Sequence, residues 1–138
     1  MRRILAVVVL VAFLPVAHDA WGQTASMNAT AVEIVQLPRF CWAQFQVPNA
    51  DGDEFRMLEC GPATNHYCGG LIELIRAKHS TSKSSRLDLI QRADANVSYT
   101  ERGINNYPRC SIREHVAATR AEVNNLLVTY GGKRPSAR

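Results

Sequence analysis

Between residues 62 and 130 apolar side chains recur at steps of three and four, interrupted by two short polar links. The pattern predicts three successive helices. In the first, Tyr67, Cys68, Leu71, Ile72 and Ile75 share a face as far as about His79, and Gly61-Pro62 opens it with a proline suited to a first turn. Gly69-Gly70 inside this helix lowers its propensity by about 1 kcal/mol per glycine, so the pair marks close approach by a neighbouring helix. The second helix runs from about Ser84 to Asn105, with Leu87, Ile90, Ala93, Val97, Thr100 and Ile104 as its stripe. The third is expected to start at Ser111, where Glu114 three residues on completes a capping-box pattern. Ile112, Val116, Val123, Leu126, Leu127 and Tyr130 form its buried face, and Gly131-Gly132 ends it. Links this short imply antiparallel neighbours.

Upstream, Val32 to Leu37 is a short apolar segment stopped by Pro38, followed by the aromatic stretch Phe40 to Phe45. Pro48 to Asp53 is turn chemistry throughout, because proline fixes φ while Asn, Asp and Gly tolerate left-handed backbone. Residues 40–60 therefore read as a possible hairpin about that turn. No convincing period-two strand occurs elsewhere. The fold class is all-α, a small antiparallel helical bundle.

The first residues alter the picture. Arg2 and Arg3 precede an apolar run from Ile4 to Ala17, and Ala20-Trp21-Gly22 offers small residues at the −3 and −1 positions of a cut before Gln23. The run falls short of the roughly 20 residues that span a bilayer. Residues 1–22 are thus expected to be a signal peptide. A flexible arm (23–31), one helical domain (32–132) and a basic tail (133–138) follow. The mature chain would be periplasmic or extracellular, with no membrane span. Removing Arg2, Arg3 and Asp19 takes 16 basic and 12 acidic side chains to 14 and 11, a net +3 scattered along the chain. Without a basic stripe interleaved with aromatics, nucleic acid is not an expected partner.

All four cysteines, Cys41, Cys60, Cys68 and Cys110, lie in the mature part, and an even number in an exported chain points to disulfides. Folding 40–60 about its turn would set Cys41 opposite Cys60. Antiparallel packing of the first two helices would bring Cys68 close to Cys110. The expected pairing is 41–60 with 68–110, and a local 60–68 link is the nearest rival.

Residues 61–110 resemble a tetratricopeptide-type unit: helix, short link, helix, then Pro108. The set Phe40-Cys41-Trp42, Cys60-Gly61 and Asn65-His66-Tyr67-Cys68 is similar to exported bacterial proteins of tetratricopeptide-like type. The resemblance spans about 95 residues and implies a helical scaffold that binds peptides or protein surfaces without a cofactor.

Site chemistry is sparse. His66 with Cys68 and Cys60 could supply zinc ligands, but the paired Cys-x2-Cys spacing of structural zinc sites is missing and export favours oxidation. No Gly-x-Ser-x-Gly surrounds any serine, and His66 and Cys68, two apart on a helix, point away from each other. His79 and His115 read as exposed helix residues. Asp51-Gly52-Asp53-Glu54 could hold calcium, but Leu58 stands where the twelve-residue loop needs a bidentate glutamate, so a solvated turn is the better reading. Phe40 and Phe45 read as core around Cys41, while Trp42 needs a partner for its N–H. Asn28-Ala29-Thr30 and Asn96-Val97-Ser98 match the N-glycosylation pattern. The preferred reading is a secreted or periplasmic adaptor, not an enzyme, with neither metal nor cofactor. Trp42, His66 and Tyr67 are its candidate contacts to a protein or peptide, which could be a second copy. A subunit of a self-assembling filament is the alternative. A metal protein or enzyme using His66 and the cysteines is the third class.

Overall fold

The computed structural model describes residues 28–45 and 59–131. The expected signal peptide (1–22), the acidic turn at 51–54 and the basic tail lie outside them. All regular structure among the described residues is helical. A four-residue helix α1 (Ala31–Ile34) leads to a 3₁₀ stretch (Arg39–Phe45), and three long helices follow: α2 (Thr64–His79), α3 (Lys83–Ile104) and α4 (Arg113–Tyr130).

The core follows the apolar stripes. Tyr67, Ile72 and Leu74 from α2 meet Ile90, Ala93 and Val97 from α3 and Val116, Val123 and Leu127 from α4, all essentially without solvent contact. Gly70 of the glycine pair lets α2 and α3 approach closely: a Cβ there would stand 3.1 Å from that of Asn96 and 3.5 Å from the Ala93 carbonyl oxygen. At the far end Gly103 of α3 packs against Ala63 with no room for a side chain. Thr100, fully buried, fixes the same junction with its hydroxyl 3.1 Å from the Ala63 carbonyl. At the end of α4, Gly131 adopts φ +79° and its N–H returns to Leu127 O, the left-handed cap expected there.

Two arginines close other helix ends. Arg86 donates from Nε to Ala77 O at 3.1 Å and from its terminal nitrogens to Ser80 O and the Tyr130 hydroxyl, so the carbonyl end of α2 meets a cation. Arg113 donates to Ile104 O and Tyr107 O, at 2.8 and 3.0 Å, and does the same for α3.

The expected disulfide pairing is corrected. Cys41 bonds Cys68 and Cys60 bonds Cys110, with Cα atoms 5.6 and 4.5 Å apart. Residues 40–45 are not a strand facing Cys60. They form a 3₁₀ turn laid along the first turns of α2, which puts Cys41 beside Cys68. Antiparallel packing does bring the start of α2 to the end of α3, but the cysteine at that corner is Cys60, just before α2.

Two boundaries also change. Ser111 is exposed and caps nothing; α4 starts at Arg113, after a turn that buries Ile112 completely, and Ile112 holds the cap position with no side-chain bond. The capping box sits at α1 instead. Thr30 Oγ1 accepts from the Glu33 N–H, and Glu33 Oε2 accepts from the Thr30 N–H at 2.7 Å. Residues 28–31, expected as the end of a loose arm, thus carry the cap and first turn of a helix.

Candidate functional site

The three candidate contact residues do not converge. Tyr67 is 1% exposed and belongs to the core, its hydroxyl 2.8 Å from that of Thr119 on α4. Burial pushes its phenol above the ordinary value, so the hydroxyl stays neutral. This ring is not offered to a partner. Trp42 is half-buried, its indole N–H donating to Leu37 O at 3.1 Å, with Arg39 stacked 5.4 Å from the ring centre. His66 lies on the side of α2 facing α3, with Nδ1 3.1 Å from Asn96 Oδ1 and its ring 4.2 Å from the Tyr99 ring. Tyr99 is half exposed, so His66 and Tyr99 form a small aromatic surface.

A more coherent feature is a groove of about 260 Å³ between α2 and α4. These two helices each pack along α3, and Phe40 of the 3₁₀ stretch stands between Tyr67 of α2 and His115 of α4. Leu71 and Ile75 line the groove from α2 and Ala118 from α4, while Leu37 and Pro38 wall its upstream side. The Tyr67–Thr119 hydroxyl pair lies at its base. Lys78 and Glu122 bridge it at 2.7 Å, both about half exposed, so water screens most of their attraction. His115, exposed as expected, packs edge-on against Phe40 with ring centres 5.3 Å apart. A volume near 260 Å³ is below the usual range for small-molecule pockets, about 300–1,000 Å³, and suits one or two inserted side chains.

Every cysteine is in a disulfide, so none is a thiolate nucleophile or ligand. Among the described residues no three His, Cys, Asp or Glu side chains converge as metal ligands do, and no helix is long and apolar enough to cross a membrane. The periodicity included Leu71 and Ile75 in the core stripe but could not show that α4 would stand off from them. Ala118 carried no signal at all. No protein-family model, curated protein or solved structure matches the chain.

Proposed function

We propose that the chain is an exported, disulfide-stapled interaction module that receives apolar side chains of a protein partner in the groove between α2 and α4. The observation that carries this reading is the set of apolar side chains, Leu71, Ile75 and Ala118, that line the groove beside the Lys78–Glu122 ion pair. A stapled scaffold suits such a task, since a groove held rigid before binding loses little conformational freedom on binding. The two disulfides fit an oxidising compartment, as the leader-like residues 1–22 do. The resemblance of residues 61–110 to a tetratricopeptide-type unit points the same way.

The test fills the groove. Ala118 is exposed on α4, so Ala118→Trp should occupy the space at little expense to the core. Mature wild-type and variant protein are immobilised and presented with envelope or culture proteins, and any partner retained by the wild type is purified for affinity measurement against both. The reading expects binding to weaken tenfold or more in the variant. Equal affinity of the two proteins for the partner would remove the groove as the site.

A further inference from the structure

Two carboxylates compete for Arg76. Glu33 of α1 holds it now, with Arg76 Nε 2.6 Å from Oε1 and a terminal nitrogen 3.2 Å from Oε2. The same guanidinium also donates to Asn28 O at 3.2 Å. Glu73 lies one turn before Arg76 on α2, at the spacing where helix side chains are neighbours. Its side chain is nearly solvent-free, and Oε2 accepts no hydrogen bond. The cation nearest to it, Arg92 of α3, stays 3.6 Å away, half exposed and shared with Asp88 at 3.3 Å. Charged groups from all three surrounding helices thus face Glu73: Glu33 from α1, Arg76 from α2, Arg92 and Asp88 from α3. Burial pushes its carboxyl above the usual carboxylate range despite the two arginines.

Residues 28–36 are lightly held. α1 buries none of its residues, and Val32 and Val35 are 70% and 65% exposed, so apolar packing contributes little to its docking. The attachment is mainly Glu33 and Asn28 on Arg76, with Ala29 resting on the core. Leu37, just beyond, is buried and anchors the hinge.

We infer that residues 28–36 form a releasable strap, and that Arg76 is its switch, passing from Glu33 to Glu73 when the strap lifts. The exchange offsets the lost ion pair in two ways. Freed Glu33 returns to water, where its charge is solvated, and buried Glu73 gains the donor it lacks. Gln36, on the rim of the groove, leaves with the strap, so release widens the groove on that side. The inference concerns the strap alone and stands whatever the groove binds.

The test reads both carboxylates in the mature chain. Carboxyl-carbon NMR follows the Glu73 titration in wild type and in Glu33→Gln. Once Glu33 stops competing, Arg76 should turn inward and lower the Glu73 midpoint by about one pH unit or more, and most of that drop should vanish in the Glu33→Gln/Arg76→Gln double variant, which lacks the Glu33 charge equally. An unmoved or raised midpoint overturns the exchange. The second variant, Glu73→Gln, removes the inward competitor and an unfavourable buried charge, so it should fold. Hydrogen exchange at the Val35 and Leu37 amides, which bond to Ala31 O and Ile34 O, should then be slower than in wild type. Equal or faster exchange there overturns the inference independently.

Discussion

The hydroxyls of Tyr67 and Thr119 meet 2.8 Å apart at the base of the groove and join α2 to α4. Both residues are largely buried, so the bond is only partly replaceable by water from the groove. Tyr67→Phe should leave the Thr119 hydroxyl without this partner and lower stability by about 1–2 kcal/mol. Urea unfolding measures the loss. A variant as stable as wild type would mean that the pair contributes nothing to holding the groove.

The disulfides make a separate prediction about topology. They close intervals of 27 and 50 residues, worth about 3.5 and 4 kcal/mol in the chain-entropy estimate. A domain of this size has only about 5–15 kcal/mol in total, so losing both should leave it marginal or unfolded at 37 °C. Cys41→Ala, Cys68→Ala and the double variant should be destabilised alike, because each lacks the same bond. Peptide mapping without reduction should recover 41 linked to 68 and 60 linked to 110. Additive losses at 41 and 68 would break the pairing.

Gly103 yields an unusual sign. In an exposed helix Gly→Ala commonly raises stability by about 1 kcal/mol. Here the added methyl would collide with the Ala63 side chain at the start of α2, which is short and has nowhere to swing. Overpacking of this kind costs about 1–3 kcal/mol, so Gly103→Ala should be destabilising on balance. Thermal melting decides it: a higher Tm would show that α2 and α3 move apart freely.

Acid should act through Glu33. The hydrogen bond from Arg76, reinforced by Thr30, lowers its carboxyl from 4.5 to about 2 despite some burial. A depressed carboxylate contributes stability above its unfolded value, and that contribution is lost as pH falls from about 4.5 to 2. Solvent screening reduces it to about 1 kcal/mol at pH 7. Glu33→Gln should therefore be less stable than wild type at neutral pH and equal to it near pH 2. Glu73 has the opposite sign: its raised carboxyl lends stability at low pH that is lost as pH rises through its folded value. A gap between Glu33→Gln and wild type that does not close in acid would disprove the ion pair's role.

The helices were legible because each stripe repeats over many residues, as Ile90, Ala93, Val97 and Ile104 do along α3. Gly70 was legible too, since a buried glycine in a helix has few uses other than close approach. Single-residue signals failed for a physical reason. Ser111 and Glu114 have the capping pattern, but burying Ile112 holds the preceding chain in a turn that sets the start of α4. Thr30 and Glu33 carry the same pattern, and there it operates because Arg76, 43 residues away, holds the glutamate in place. The groove was hidden because it depends on the spacing between α2 and α4, which a one-dimensional pattern does not encode.

Arg120 shows how α4 is held at that spacing. From α4 it pairs with Asp94, donates 2.6 Å to Ser98 Oγ and 2.9 Å to Glu101 Oε2, and so grips one face of α3 over two turns. The arginine and Asp94 are largely buried, Glu101 less so. Arg120→Ala would leave Asp94 and Glu101 as like charges at a partly dry interface, with a loss of about 2–3 kcal/mol. Arg120→Lys keeps the charge but offers one nitrogen where a planar fork spans several acceptors, so it should recover only part of that loss. Because α4 also forms a wall of the groove, both variants should loosen the Tyr67–Thr119 contact, seen as faster hydrogen exchange in the first turns of α4. Full rescue by lysine would mean that charge alone holds α4 against α3. Exchange unchanged in both variants would uncouple the clamp from the groove.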